Sequence, residues 1–232
     1  MEKQHRFERF IKLIGDDAFT KLNSKCVLVL GVGGVGGYVC EALARSGVGK
    51  IVVVDYDTVD ETNINRQIIA LKDTVGEKKV DVLEKRIKKI NDGCCVVKVD
   101  KFIDAMEVKN LFDYKPDYFV DACDTVATKK AVICECLKQN VRFISSMGTG
   151  NKLDPSKLLI TDLRKTMNDP LARIMRKFIK DEGIRQKVMV LASTEVPIKT
   201  GERTPGSTVF VPASAGMLIA SYVVRDLMDK VN

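Results

Sequence analysis

Residues 26–37, CVLVLGVGGVGG, join an apolar run to five glycines within seven positions. Gly31, Gly33 and Gly36 give the spacing G-x-G-x-x-G, and Gly34 lies in the same loop. In such a loop the first glycine permits a tight turn, the second brings backbone close to a ligand, and the last lets a helix pack on a strand. The apolar run predicts a buried strand. The residues after the glycines predict a helix whose N-terminal N–H groups can bind a nucleotide phosphate.

Strands and helices alternate on both sides of this loop. Apolar, β-branched runs predict strands at 26–30, 51–55, 95–99, 118–122 and 142–146. Amphipathic segments predict helices at 36–47, 77–90, about 104–112 and 125–138. Continuous apolar strands that alternate with helices are typical of a parallel sheet covered on both faces. The sequence therefore predicts an α/β protein with a Rossmann-like, doubly wound and mainly parallel sheet.

The two ends of the chain predict additions to this sheet. RFERFIKLIG (6–15) predicts a short amphipathic helix, and 158–163 and 187–193 predict strands on either side of a basic helix at 169–183. The almost uncharged segment 209–224 predicts a buried strand followed by a buried helix, because it is short for a membrane span and contains a proline. We expect three parts: an N-terminal helical segment (1–25), an ATP-binding domain (26–150) and a C-terminal substrate-facing lobe on the same sheet (151–232).

Composition restricts the class of protein. The chain has 232 residues, 45% of them hydrophobic and 30% charged, which is typical of a globular protein. Seven cysteines, an odd number, do not suit a secreted disulfide scaffold, and the N-terminus does not resemble a signal peptide. We therefore expect a cytoplasmic protein without a membrane partner. The net charge of +7 is compatible with a polyanionic partner such as RNA, and equally with lysines that serve solubility.

Polar side chains after the second predicted strand are candidates to hold the nucleotide. Asp55 follows Gly36 by 19 residues, where a carboxylate can accept hydrogen bonds from ribose hydroxyls. Arg66 and Lys79 lie further on, and two cations directed at one nucleotide suit a triphosphate that is cleaved better than they suit NAD. From spacing alone, surface cations are an equally good interpretation of both.

Carboxylates after the fourth predicted strand are candidates to bind Mg²⁺. Asp121 and Asp124 lie in VDACDT, at the edge of the sheet where ligands bind, and Mg²⁺ prefers carboxylate and phosphate oxygens. Capping of the next helix by Asp124 or Thr125 is the alternative. The sequence contains one histidine, His5, outside the core pattern, which disfavours a dehydrogenase that uses histidine as its acid or base.

Four segments together resemble the ThiF/MoeB/HesA superfamily of adenylating enzymes, to which the ubiquitin-activating enzymes belong. The segments are GVGGVGG, VVDYDTVDETNINRQ, VGEKKV and VDACDT, and the resemblance covers roughly residues 6–147. It implies that ATP with Mg²⁺ is bound and that a carboxylate is activated as an acyl-adenylate, with release of pyrophosphate.

The resemblance also implies roles for individual residues. Those that would bind the nucleotide are Gly31, Gly33, Gly34, Gly36, Asp55, Asp57, Asn63, Arg66, Gln67, Lys79, Asp124 and Thr125. Arg66, Lys79 and Asp124 would be catalytic, and Asp124 would be the Mg²⁺ ligand. Arg9, with Arg6 as the second choice, would enter the active site from the partner subunit of a homodimer.

The cysteines bear on which carboxylate is activated. Superfamily members that supply sulfur carriers usually bind zinc through two C-x-x-C pairs, and this sequence has none, so we expect no zinc. Cys123 is the cysteine closest to the predicted phosphate site. The carboxylates on either side of it should raise its pKa and disfavour the thiolate. Two alternatives stay open: an adenylyltransferase acting on the C-terminus of a ubiquitin-like sulfur carrier, and a protein that binds NAD.

The C-terminal part resembles the tRNA threonylcarbamoyladenosine dehydratases within that superfamily, through 146–183, STEVP (193–197) and 201–216. The resemblance implies adenylation of the threonyl carboxylate of N6-threonylcarbamoyladenosine at position 37 of tRNA, followed by ring closure. It implies that the protein binds ATP, Mg²⁺ and the modified tRNA, and that it forms a homodimer. A monovalent cation and a sulfurtransferase are further candidate partners, although residues 188–192 contain no cysteine for a sulfur relay.

A strip of basic residues lies in the same part of the chain. Its members are Arg164, Lys165, Arg173, Arg176, Lys177, Lys180, Arg185 and Lys187. Such a strip can contact RNA phosphates without reading sequence, and it can equally be the solvated face of an ordinary helix.

Overall fold

A computed structural model describes residues 5–202 and 204–229. Within these ranges seven strands form one sheet in the order β3-β2-β1-β4-β5-β7-β6. The strands are β1 Cys26–Leu30, β2 Lys50–Val54, β3 Cys95–Val99, β4 Tyr118–Asp121, β5 Arg142–Ser146, β6 Leu158–Asp162 and β7 Met189–Ser193. Neighbours are parallel except for the antiparallel pair β6 and β7. The predicted Rossmann-like, mainly parallel α/β fold is thus confirmed.

Helices cover both faces of the sheet. They are α1 Glu8–Ile14, α2 Asp16–Asn23, α3 Gly36–Arg45, α4 Lys79–Ile90, α5 Val126–Lys138, α6 Pro170–Asp181 and α7 Phe210–Leu227. Successive residues of a strand point to opposite faces, so β1 contributes Val27 and Val29 to one core and Leu28 to the other. The first core contains residues of α3, α4 and α7, and the second contains residues of α5 and α6.

This topology determines where a ligand can bind. The strand order reverses at β1, because the chain continues to β2 on one side of it and later returns to β4 on the other. In open parallel sheets the connections diverge at such a point and leave a crevice beyond the carboxyl ends of the strands. The glycine loop follows β1 directly and therefore lies in that crevice.

Two predicted elements differ from the structure. The segment 209–224 is not a strand followed by a helix: Val209 is the N-cap of the single helix α7, which contains the rest of the segment and has Pro212 in its first turn. Proline is tolerated there because the N–H that it lacks would have no partner within the helix. The helix predicted at about 104–112 is a 3-10 helix over Val108–Tyr114, because Asp104 first accepts hydrogen bonds from the N–H groups of Met106 and Glu107 and forms a turn.

Helix α7 has the length and hydropathy of a membrane span by composition alone, with a mean hydropathy of 1.2 and half of its residues buried. One such helix is weak evidence for a membrane protein, because core helices meet the same criterion. Here its buried face packs in the first core beside α3. Strands β6 and β7, which come from the C-terminal part of the chain, pair within the same sheet as the glycine-loop strand.

Candidate active site

A cleft of about 370 Å³ opens at the carboxyl ends of β1, β2 and β4. Predicted nucleotide-binding residues line it together: Gly31, Gly33, Gly34, Asp55, Asp57, Asn63, Arg66, Gln67, Lys79, Asp124 and Thr125. Gly36 lies beneath the loop as the first residue of α3. Residues separated by up to 94 positions in sequence thus converge at the topological switch point of the sheet.

The glycine loop meets two separate demands. Gly31 has φ +85°, and a Cβ there would lie 2.8 Å from the carbonyl oxygen of Ala122. A Cβ at Gly36 would lie 1.8 Å from the carbonyl oxygen of Gly31, so α3 can approach β1 only with glycine at that position. Gly33 and Gly34 line the cleft, and their lack of side chains keeps it open for a ligand.

Asp55 is fixed by the backbone around it. Its Oδ2 accepts the N–H of Val32 at 2.8 Å and its Oδ1 accepts the N–H of Asp57 at 2.9 Å. A carboxylate has about four acceptor positions, so two stay available after these bonds. The side chain can therefore accept ribose hydroxyls while it holds the glycine loop against the end of β2.

Two cationic side chains reach the cleft from different elements. Lys79 begins α4, and its Nζ lies 2.7 Å from Asp57 Oδ2, with the Lys79 side chain 6% exposed and that of Asp57 45% exposed. Arg66 donates from Nη1 to the carbonyl oxygen of Thr62 at 2.8 Å and to Asn65 Oδ1 at 3.0 Å. Its Nε and Nη2 donors make no hydrogen bond to residues that the structure describes, so they are available to an anion.

Two amide side chains complete this side of the cleft. Gln67 is buried, and its Oε1 has no hydrogen-bond partner among the described residues. A buried carbonyl oxygen without a partner costs free energy, so the position favours a ligand or water that donates to it. Asn63 is also buried, but its Oδ1 accepts the N–H of Asp60 at 3.2 Å and shapes the short 3-10 helix Glu61–Asn63.

The two carboxylates near the end of β4 differ sharply. Asp124 is exposed and lines the cleft. Asp121 is fully buried, accepts from Lys129 Nζ at 2.9 Å and from Ser145 Oγ at 2.6 Å, and does not line the cleft. Asp121 is therefore not placed to hold a phosphate-bound metal, which leaves Asp124 as the candidate. Thr125 occupies the N-cap position of α5 but makes no side-chain capping bond.

Cys123 is not an activated nucleophile. Burial is the larger cause that raises the pKa of its thiol far above the ordinary range, and the negative charge of Asp121 adds to it. Its Sγ lies 3.1 Å from Asp121 Oδ1. The sequence predicts a raised pKa of the Cys123 thiol because of the neighbouring carboxylates, and the structure adds burial as the stronger cause.

Arg9 and Arg6 lie outside this cleft. Arg9 is exposed on α1 and is not among the cleft residues of its own subunit. Arg6 is engaged elsewhere, because its Nη1 lies 3.0 Å from Asp92 Oδ1 and donates to the carbonyl oxygen of Ile90 at 3.1 Å.

The basic strip is less uniform than its sequence indicates. Arg164 pairs with Asp162 and donates to the carbonyl oxygen of Ile184 at 2.6 Å. Arg176 is half-buried and donates to the carbonyl oxygen of Thr166 at 2.8 Å. These two arginines join segments of the protein, and Arg173, Lys177 and Lys180 are exposed on α6.

Several residues at the site, or buried next to it, have no clear signal in the sequence. Lys129 is completely buried, although nothing distinguishes it in sequence from the exposed lysines of other helices. Tyr56 and Phe102, 46 positions apart, form an edge-to-face aromatic pair at the cleft with centroids 5.0 Å apart. Thr149 and Ser207 bring parts of the chain beyond β5 to the same cleft.

Comparison with known proteins agrees with this geometry. The ThiF family model matches residues 7–225. A tRNA threonylcarbamoyladenosine dehydratase of Bacillus subtilis (strain 168) is 41% identical, over 98% of this chain and 96% of its own length. The crystal structure of the Escherichia coli enzyme of that name in complex with ATP has a TM-score of 0.91 and 35% identity, and the match covers 97% of this chain and 94% of that one. The chain therefore belongs to the ThiF family.

Proposed function

We propose that this protein is an ATP-dependent dehydratase acting on tRNA. It adenylates the threonyl carboxylate of N6-threonylcarbamoyladenosine at position 37 and promotes ring closure of the modified base. The observation that carries the proposal is the convergence of the glycine loop, Asp55, Arg66 and Lys79 on one cleft in a chain similar throughout to dehydratases of this name. The tRNA substrate also makes the cytoplasm the expected location.

The first step replaces a poor leaving group with a good one. An oxygen of the substrate carboxylate attacks the α-phosphorus of ATP, and the bond from that phosphorus to the bridging oxygen of pyrophosphate breaks. Arg66 and Lys79 stabilise the negative charge that builds on the phosphate oxygens, and the N-terminus of α3 adds N–H groups of the right polarity. Asp55 holds the ribose, so that the α-phosphate lies in line with the incoming carboxylate.

In the second step a nucleophile within the same modified base attacks the activated acyl carbon. The C–O bond to AMP breaks, AMP leaves with the former carboxylate oxygen, and the nucleophile loses its proton. The net change in the base is the loss of one water. Neither a carrier protein nor a cysteine takes part in these two reaction steps, which agrees with the raised pKa of the Cys123 thiol.

Mg²⁺ suits this cleft as a companion of the nucleotide. Asp124 would hold it together with phosphate oxygens, and the ion would neutralise their charge when bound. Among residues 5–202 and 204–229 no cluster of three or more Asp, Glu, His or Cys side chains forms a separate metal centre. An exposed carboxylate such as that of Asp124 is the kind of donor expected for a metal delivered with ATP.

We also propose a homodimer built on the surface that α1 and α7 share. An apolar groove of about 620 Å³ lies there, and it includes Leu13, which is 80% exposed, and Met217, which is 43% exposed. Arg9 projects from the same helix as Leu13, so a second subunit docked on this groove would lie near Arg9. Sedimentation should show a dimer that Leu13→Asp converts to monomer, and a monomeric wild type would contradict this assembly.

The exposed cations of α6 are proposed to contact tRNA phosphates. Arg173→Ala with Lys177→Ala should weaken tRNA binding and lower the slope of log affinity against log salt by about two. Lys85→Ala, which changes an exposed lysine on α4, is the matched control. A double variant that binds tRNA with the wild-type salt dependence would remove α6 from the interface.

Mass spectrometry of nucleosides tests the proposed reaction. Substrate tRNA is incubated with protein and ATP, digested, and compared with a sample that lacks ATP. We expect the threonylcarbamoyladenosine signal to be replaced by one lighter by a single water, with AMP and pyrophosphate released. Unchanged nucleoside, combined with pyrophosphate release stimulated by a ubiquitin-like carrier protein, would favour the sulfur-carrier adenylyltransferase instead.

A further inference from the structure

The side chain of Asn65 joins the nucleotide cleft to a distant segment of the chain. Its Oδ1 accepts from Arg66 Nη1 at 3.0 Å, and its Nδ2 donates to the carbonyl oxygen of Ser207 at 3.1 Å. Ser207 belongs to the β7–α7 connection, residues 194–209, in which Arg203 lies outside the described residues. One amide group therefore contacts both the candidate phosphate-binding arginine and this connection.

The connection has a second attachment at Asn151. The Oδ1 of Asn151 accepts the N–H of Gly206 at 2.6 Å, and its own N–H donates to the carbonyl oxygen of Gly206 at 2.7 Å. Its carbonyl oxygen accepts the N–H of Ile198 at 2.8 Å. Asn151 has φ +58°, a conformation that asparagine adopts more readily than most residues. The connection is thus held between Asn151 on one side and Asn65 on the other.

A second cleft, of about 610 Å³, lies between these attachments and the nucleotide cleft. Asn65, Gly150, Pro205 and Gly206 line it, and Arg66 lines both clefts. Because Arg66 lines both clefts, a substrate bound in the second cleft would lie beside the guanidinium that we propose to bind phosphate. It would then contact the connection on one side and Arg66 on the other.

We propose that Asn65 is a positioning residue that couples the β7–α7 connection to the orientation of Arg66. The proposal rests on the proposed function, and its ligand class is a nucleobase that carries a carboxylate. When such a substrate settles the connection in place, the Asn65 amide fixes the Nη1 side of Arg66 and leaves the Nε and Nη2 donors for phosphate. The coupling is reciprocal, so ATP bound at Arg66 must in turn steady the connection.

Limited proteolysis tests the reciprocal effect with ATP alone. Lys199 is exposed within the connection, so the rate of tryptic cleavage after it reports how often that segment opens. ATP with Mg²⁺ should slow this cleavage about fivefold in the wild type. Asn65→Ala should bind ATP but lose the protection, and Asn65→Gln, which keeps an acceptor and a donor, should restore part of it. Equal protection in the wild type and Asn65→Ala, or no protection in a wild type saturated with ATP, would overturn the coupling.

Steady-state kinetics separate this coupling from the proposed reaction. Asn65→Ala and Asn151→Gly should each raise the KM for the modified tRNA about tenfold and leave the dissociation constant for ATP within about twofold. Because both act through the connection, the double variant should lose less than the product of the two single effects. Fully multiplicative losses would contradict the coupling, whereas a wild type that converts no tRNA while ATP still protects Lys199 would contradict only the proposed reaction.

Discussion

Two lysine–aspartate pairs in this protein have similar lengths but different surroundings. The Lys79–Asp57 pair is 2.7 Å long and the Lys129–Asp121 pair is 2.9 Å long. Asp57 is 45% exposed in the cleft, whereas both side chains of the other pair are 0% exposed. Lys129 also donates to Ser145 Oγ at 3.2 Å and to the carbonyl oxygen of Ser146 at 2.8 Å.

The surroundings of a lysine decide whether it serves structure or chemistry. All three ammonium donors of Lys129 have partners, so exchange of Asp121 for another partner would leave a charge buried without compensation. Lys79 has Asp57 as its side-chain partner among the described residues and lines an open cleft. Lys79 can accept a phosphate as a new partner because water can solvate Asp57, whereas Lys129 holds β4, β5 and α5 together.

Removal of the buried lysine should have the strongest effect, and this effect is on the free energy of unfolding. Lys129→Met should lower the free energy of unfolding by about 3–5 kcal/mol, because it leaves the Asp121 charge buried without a partner. Lys79→Met should cost less than about 1 kcal/mol, because Asp57 is exposed to water. Denaturant titration measures both values, and the combination of Lys129→Met with Asp121→Asn should recover part of the loss. Equal losses in the two single variants would remove the distinction between the pairs.

The next effect concerns catalysis. Lys79→Ala and Arg66→Ala should each slow adenylate formation about 10²- to 10³-fold while the fold survives, because each removes a donor to developing phosphate charge. ATP–pyrophosphate exchange in the presence of modified tRNA measures the rate. Lys85 lies on the same helix as Lys79 and forms a surface ion pair with Glu77. The exchange rate of Lys85→Ala should stay within about twofold of wild type. Undiminished exchange in the Lys79 and Arg66 variants would refute these assignments.

A smaller effect on the free energy of unfolding should appear at alkaline pH. It arises from Cys123, which contacts Asp121 of the buried lysine–aspartate pair. Burial first, and the Asp121 charge second, raise the pKa of the Cys123 thiol above its ordinary value of 9.0. The unfolded chain therefore loses this proton at lower pH than the folded chain, so the stabilisation is present below pH 9 and is lost as pH rises. Above pH 9, Cys123→Ala should reduce the fall in unfolding free energy by up to about 1.4 kcal/mol per pH unit. An unchanged slope between pH 9 and 10 would contradict the raised pKa.

The smallest effect concerns the Lys79–Asp57 pair in the cleft. Asp57→Asn should tighten ATP binding about two- to fivefold, because it removes a partly screened negative charge beside the phosphates. Calorimetric titration with ATP measures the change, and Glu77→Gln, at the exposed pair with Lys85, is the control. Weaker ATP binding in Asp57→Asn would contradict this expectation and would support the nucleotide-binding role that the family resemblance implies for Asp57.

Local sequence predicted the sheet well, because the strands near the site are short apolar runs that end at glycine or aspartate. The glycine spacing and Asp55 also follow from local rules, since a tight turn after a strand requires them. The prediction of a strand at the start of 209–224 is wrong, because proline breaks a helix at most positions but not in its first turn, where Pro212 lies. Lys129 was missed because burial of a lysine depends on Asp121 and Ser145, which tertiary structure alone brings to it.

The proposed role of Arg9 depends on how two subunits assemble. Its own subunit leaves this side chain exposed on α1, away from the cleft residues, so its proposed role depends on a second copy. Likewise, Asn65 precedes Arg66 in the sequence, but its contact with Ser207 spans 142 positions. Neither periodicity nor motif spacing can indicate a contact of that kind.

A crystal structure with ATP and Mg²⁺ is the decisive test of the different roles of Lys79 and Lys129, because it shows both lysines at once. We expect Lys79 Nζ and the Arg66 guanidinium within hydrogen-bond distance of phosphate oxygens, with Lys129 still bound to Asp121, Ser145 and Ser146. Bound ATP with the Arg66 and Lys79 side chains turned away from its phosphates would contradict the proposed roles of these two residues.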